Sequence, residues 1–148
     1  METGNVAYST VALTGRASDP RVGEAMLALA AHLLERGRHV QAVTGIEIDF
    51  GLLPVTLVPE SALARGYDLL VAVGGDGTWS NVGNAILRTG VPASLGLVPG
   101  GTGCDLAKTL GIPARDVGAC CRIVLDGVTR TIDVGKVEDK HFLNIAGF

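Results

Sequence analysis

An α/β domain of three layers, with helices on both faces of a parallel sheet, is predicted by three features of the sequence. Leu69 to Val73 forms an unbroken apolar run, the pattern of a strand buried on both faces. Strand-like and helix-like segments alternate around it. Two glycine-dense loops, Gly74-Gly75-Asp76-Gly77-Thr78 and Gly100-Gly101-Thr102-Gly103-Cys104-Asp105, each follow an apolar run and open a helix-like segment. In open α/β sheets that junction, beyond the carboxyl ends of the strands, is where ligands bind.

Taken in order, Val6 to Thr14 reads as the first strand. Asp19-Pro20 then supplies a helix cap and a proline at the first helical position. The helix runs to about Arg36, with Val22, Met26, Leu29 and Leu33 on one face and Gly37 placed to end it. His39 to Val43 reads as a second strand, Thr44 to Pro59 as irregular, and Glu60 to Arg65 as a short helix. Asp68 to Val73 is the central strand, followed by a helix from about Thr78 to Arg88 closed by Gly90 and a strand around Ser94 to Val98. Asp105 to Leu110 is helical, Gly111-Ile112-Pro113 breaks it, and Val117 to Leu125 forms a last helix before Gly127. Thr129 to Val137 alternates polar and apolar residues as a strand does, with His141 to Ala146 set to pair with it across a turn at Glu138-Asp139.

With 148 residues and 47% hydrophobic content, the chain can bury one core. Its 12 Lys and Arg against 15 Asp and Glu, net charge −3, offer no broad basic surface and argue against nucleic acid as a partner. Three cysteines, Cys104, Cys120 and Cys121, form neither a metal-binding pair nor an even disulfide framework, which fits a reducing, cytoplasmic setting. No secretory leader and no apolar run of membrane-spanning length is present, so membrane contact is expected to be peripheral at most.

Glycines at strand-to-helix junctions leave backbone N–H groups open to an anion, because no Cβ blocks close approach. Two such loops side by side suggest a cradle for a polyphosphate. A carboxylate inside the first, Asp76, makes sense there only if a cation shares the site, which points to a nucleotide with Mg²⁺. The phosphate-binding loop GxxxxGK[ST] is absent, and the dinucleotide pattern GxGxxG fails because Ser80 stands where its third glycine belongs. Trp79 reads equally as a stack on an adenine or as packing under the following helix. Cys104, Cys120, Cys121, His32, His39 and His141 read as structural. Arg16 reads as solvated, and Asp133 as either an outward strand residue or a distant contributor to the site.

Gly74-Gly75-Asp76-Gly77-Thr78 is the GGDGT signature of the diacylglycerol kinase, sphingosine kinase and NAD kinase superfamily, and the chain resembles that superfamily from Leu69 to Phe148. The run Gly96 to Pro113 resembles the G-x-x-P-x-G-T-x-N-D-x-A-x-x-L-G-I-P segment of diacylglycerol-kinase-like lipid kinases, with Cys104 where that family usually has Asn. Ser80-Asn81 likewise replaces its usual Asn-Glu. Upstream, Thr14-Gly15-Arg16-Ala17-Ser18 and Leu34-Glu35-Arg36-Gly37 look more like bacterial NAD kinases.

The resemblance implies an ATP-dependent phosphotransferase acting on a lipid hydroxyl, with NAD kinase as the alternative and an isolated nucleotide-binding module as a third reading. It implies that residues 1–128 form the nucleotide-binding domain. Residues 129–148 then lead into a second, β-rich domain outside this chain, which in the lipid kinases supplies the general base and further metal ligands. Gly74, Gly75, Asp76, Gly77, Thr78, Gly101 and Thr102 are the expected phosphate contacts, and Asp76 the expected catalytic residue, organising the magnesium–phosphate region. The apolar seam left by an absent domain makes self-association an expected behaviour.

Overall fold

A computed structural model describes residues 3–5, 8–15, 19–44, 48–59, 67–90, 94–100, 105–113, 116–130, 132 and 134–142. Its centre is β5 (Leu69–Gly74), all six residues of which are buried. On one side of β5 lies β2 (Thr10–Gly15), then β3 (His39–Val43) and β4 (Thr56–Val58); on the other lies β6 (Ser94–Pro99). All four pairings of this five-stranded sheet are parallel.

Chain direction through the sheet reverses between β2 and β5. α1 (Pro20–Glu35) carries the chain from β2 outward to β3, and α2 (Asp76–Thr89) carries it from β5 the other way to β6. Right-handed crossovers running in opposite directions must place their helices on opposite faces. The core divides accordingly. Leu69, Val71 and Val73 of β5 pack with Val22, Met26, Leu29 and Leu33 of α1 and with Cys120 and Cys121 of α4 (Val117–Asp126). Ala72 faces the other way, onto Trp79 of α2 and onto Leu106 and Ala107 of α3 (Asp105–Leu110). The three predicted layers are therefore present.

Local chemistry explains where the elements stop and start. The Asp19 carboxylate accepts from Arg21 N at 3.0 Å and caps α1, Pro20 takes the first helical position, and six buried residues recur along one face. At the amino end of the sheet, Asp68 clamps two strands: its carboxylate accepts from Ser9 N (2.9 Å), Ser9 Oγ (3.2 Å) and Thr10 N (3.0 Å). Asp68→Ala strips these donors of their acceptor, and we expect it to cost about 1–2 kcal/mol in urea denaturation. Asp68→Asn, which keeps one acceptor oxygen, should cost less.

The structure corrects several boundaries. β2 begins at Thr10, with Tyr8 and Ser9 ahead of it; Val6 and Ala7 lie outside the described residues, as does the expected helix over Glu60 to Arg65. β4 lies inside the stretch expected to be irregular; three residues at a sheet edge, with Thr56 and Leu57 exposed, are too few to show periodicity. α2 begins at Asp76, two residues before Thr78, because Trp79 N already bonds to Gly75 O at 3.0 Å. The alternating stretch Thr129 to Val137 is not one strand. β7 (Val128–Arg130) pairs antiparallel with β1 (Thr3–Asn5), whose pairing the sequence did not signal, and β8 (Gly135–Val137) starts afresh. β8 and β9 (Lys140–Phe142) form a hairpin across Glu138-Asp139 as expected, where Glu138 adopts φ 55°, with the return strand starting at Lys140 and not at His141; Leu143 to Ala146 of the expected strand lie outside the described residues. Among the described residues, no helix is long and apolar enough to cross a membrane.

Candidate phosphate site at the sheet switch point

The reversal between β2 and β5 makes their carboxyl ends the switch point of the sheet, where open α/β folds bind ligands in a crevice, and the first glycine loop leaves β5 there. Gly15 of β2 registers with Val73, and Gly74 with Pro99 of β6. Gly100 N then donates to Gly74 O at 3.0 Å, so the second loop begins hydrogen-bonded to the first.

The chemistry of the crevice is set by the end of α2. Trp79 N to Gly75 O is the first bond of that helix, which leaves the N–H groups of Asp76, Gly77 and Thr78 ahead of the helical ladder. Gly75, extended at φ −124° and ψ −171°, has no side chain to cap them. α1 and α4 differ: Asp19 caps the first and Asp116 the second, its carboxylate accepting from Ala119 N at 2.9 Å. Of these three helices, α2 alone presents, among the described residues, an amino end without a side-chain acceptor, with its partial positive charge directed at the switch point. An anion with several oxygens fits such an end.

Space is arranged to match. A Cβ on Gly74 would stand 2.9 Å from Thr78 Oγ1 and 3.0 Å from Thr78 Cβ, so the threonine lies directly over the glycine. A Cβ on Gly100 would stand 2.9 Å from Val73 Cγ1. Gly77 is the opposite case, exposed and with nothing within 4 Å of a Cβ, which leaves open approach to the loop.

The structure thus brings Gly74, Gly75, Gly77 and Thr78 together at the switch point. The backbone of Asp76 is the first residue of α2; its carboxylate lies outside what is described, and so do Gly101, Thr102, Cys104, Arg16 and Asp133. Trp79 is packing and not a stacking surface: it is 0% exposed, and its Nε1–H donates to Ala72 O at 3.0 Å. At this point of α2 the side chain faces the sheet. His39 opens β3 and His32 lies in the last turn of α1, both remote from the glycine loops. Among the described residues no group of three His, Cys, Asp or Glu could hold a metal. Mg²⁺ held by one carboxylate and substrate phosphates requires no such cluster.

Sequence reasoning missed Gly100 as the residue that joins the loops, since its hydrogen bond is a long-range event. It also missed a concavity of about 690 Å³ along β6, the last strand of the sheet among the described residues, lined by Ile86, Leu87, Leu95, Leu97, Ile123 and Val134 among others. This groove follows the sheet edge, apart from the carboxyl-end crevice, and its described lining carries no charge.

Cys120 and Cys121 are free and buried. Burial first, then the nearby Asp116 carboxylate and Cys121, push the Cys120 thiol from 9.0 to about 11. Burial also raises Cys121. The folded protein therefore keeps a thiol protonated where the unfolded chain ionises it. The resulting stability is complete below about pH 9 and is lost as pH rises toward 11. We expect the urea midpoint to fall across that window in the wild type and less in Cys120→Ala, and thiol reagents at neutral pH to label neither cysteine until denaturant is added.

Residues 22–137 match the diacylglycerol kinase catalytic domain family. Over 140 residues the chain is 33% identical to a diacylglycerol kinase of Mycobacterium tuberculosis H37Rv, covering 95% of this chain and 42% of the relative. Over 92 residues it is 41% identical to a diacylglycerol kinase of Bacillus subtilis 168, covering 62% of this chain and 30% of the relative. The solved structure of a diacylglycerol kinase from Bacillus anthracis superposes with a TM-score of 0.63 over 94% of this chain and 51% of that one, at 22% identity, a likeness of fold. The chain spans less than half the length of the two curated relatives. Because the matched stretch runs from the first turns of α1 through both glycine loops to β8, the chain belongs to the diacylglycerol kinase catalytic domain family.

Proposed function

We propose that this chain is the nucleotide-binding part of an ATP-dependent phosphotransferase whose acceptor is a lipid hydroxyl of the diacylglycerol or sphingoid type. The observation that carries the reading is the uncapped amino end of α2 over Gly74, hydrogen-bonded through Gly74 O to the start of the second glycine loop. Family membership selects a kinase among the anion-binding functions such an end could serve.

In this reading the N–H groups of Asp76, Gly77 and Thr78, with the Thr78 hydroxyl, hold the phosphates of ATP, and Gly101 and Thr102 extend the cradle. Asp76 would hold Mg²⁺ beside those phosphates, where the cation would supply neutralisation of the charge that opposes transfer. Phosphoryl transfer depends on positioning and electrostatics more than on covalent catalysis, so fixed amides suffice for the nucleotide side. The acceptor side, with its general base, we assign to the part of the relatives' length that this chain does not match. Peripheral contact with a membrane would bring a lipid acceptor to the crevice.

Calorimetric titration with ATP and with NAD, each with Mg²⁺, tests the nucleotide half, and Asp76→Ala is expected to weaken ATP binding. Transfer of labelled γ-phosphate from ATP to diacylglycerol or a sphingoid base, assayed on the longest natural form of the protein, tests the rest. NAD binding with NADP formation would replace the lipid reading by NAD kinase.

A further inference from the structure

Three of the five residues of the first loop are glycine, so the loop has few side chains with which to hold its own shape. Its geometry is set from beneath. Trp79, the one tryptophan of the sequence, sits immediately after the loop, fully buried. Its indole N–H reaches back to Ala72 O, two residues before Gly74, at 3.0 Å. One side chain therefore ties the strand that enters the loop to the helix that leaves it.

The same indole also lies in the core beneath α3. Trp79 shares a small core cluster with Ala72 of β5 and with Leu106 and Ala107 of α3, the helix into which the second glycine loop runs. Leu97 of β6, the strand that delivers that loop, packs against this cluster as well. The two helices that follow the two loops thus bury residues in one shared core cluster with this ring, on the face of the sheet opposite α1 and α4.

We propose that Trp79 is a positioning residue that fixes the starts of α2 and α3, the helices that follow the two glycine loops, against each other, so that nucleotide affinity depends on its indole N–H although the ring touches no ligand. The proposal rests on the reading that the loops hold nucleotide phosphates. Oriented amides tolerate errors of only about 0.5 Å, and the residue that aims them matters as much as the amides themselves.

Trp79→Phe keeps most of the ring volume and deletes the donor. Leu33→Val, a fully buried change near the carboxyl end of α1, serves as the control for general loss of stability. Two readouts are taken on the full chain at 25 °C. The first needs no nucleotide: amide hydrogen exchange in segments 74–83 and 105–112. We expect exchange in both segments to accelerate roughly tenfold in Trp79→Phe and to stay unchanged in Leu33→Val. The second is calorimetric affinity for ATP with Mg²⁺, expected to fall roughly tenfold in Trp79→Phe and less than twofold in the control.

Unchanged exchange in segment 105–112 of Trp79→Phe overturns the proposal, because the ring would then not couple the two helices. Equal losses in the control overturn it too, reducing the effect to ordinary destabilisation. Accelerated exchange together with a wild type that ignores ATP would sink the nucleotide reading while leaving the mechanical coupling established. Rescue of both readouts toward wild type by a ring nitrogen analogue that retains the N–H, 7-azatryptophan incorporated at position 79, is the positive arm.

Discussion

Replacing Gly74 with alanine is expected to weaken binding of ATP and Mg²⁺ roughly 100-fold, the order of loss that follows from moving a binding group by about 1 Å. The added Cβ would stand 2.9 Å from Thr78 Oγ1, 3.0 Å from its Cβ and 3.3 Å from its Cγ2. A β-branched side chain on a helix has few rotamers to retreat into, so relief must come partly from displacing the first turn of α2. That turn carries the N–H groups of Asp76, Gly77 and Thr78. Affinity should therefore fall much more than stability. The double variant Gly74→Ala, Thr78→Ala should recover part of the displacement of the helix turn, since it removes Oγ1 and Cγ2 but leaves the closest carbon at 3.0 Å, while the phosphate contact of the Thr78 hydroxyl stays lost. Wild-type affinity in Gly74→Ala, measured by calorimetry, would show that these amides do not hold phosphate. Gly77→Ala supplies the complementary test: nothing lies within 4 Å of its Cβ, so any loss of affinity there reports a ligand in that space.

How much of this was legible beforehand depended on the range of the interaction that fixes each feature. The central strand was readable because burial on both faces leaves no polar residue in Leu69 to Val73, and β5 is buried throughout. α1 was readable because both its cap and its buried face are local patterns; Asp19, Pro20 and the spacing of Val22, Met26, Leu29 and Leu33 all lie within the helix or one residue before it. The glycine loops announced themselves for the same reason. By contrast, β4 and the β1–β7 pair are three-residue strands defined by partners distant in sequence, and no pattern of that length separates a strand from a loop. Trp79 could be read two ways until the partner of its N–H was known, and that partner is a strand carbonyl, which carries no sequence signature. The choice between α2 starting at Thr78 or at Asp76 has the same origin. A helix usually advertises its start by a capping side chain, and here the cap is a glycine whose missing side chain is what the phosphate reading requires.

Gly15→Ala is the substitution expected to damage the fold most. Glycine at that position looks, in sequence, like an ordinary loop residue in Thr14-Gly15-Arg16. In the structure it is the last residue of β2, in register with Val73, and an added Cβ would stand 2.7 Å from Val73 O, 2.8 Å from Val22 Cγ1 and 2.9 Å from Met26 Cε. The two side chains could shift, but the carbonyl belongs to β5 and cannot move without moving the strand that delivers Gly74. Overpacking of this kind costs about 3 kcal/mol, which for a domain of this size lowers Tm by roughly 6–12 °C. Gly23→Ala, eight positions further on, should do the reverse. Gly23 lies within α1 with nothing within 4 Å of a Cβ, so alanine there adds helix propensity without a clash and should stabilise by about 0.5–1 kcal/mol. Measured side by side by thermal unfolding, the pair separates a glycine required by packing from one that is merely tolerated. Equal Tm values for the two variants would mean that β2, β5 and α1 are not held as closely at the switch point as the crevice requires. A Gly15→Ala protein that still folds should bind ATP more weakly than its stability loss alone predicts, because the displaced strand end is the one from which the first glycine loop departs.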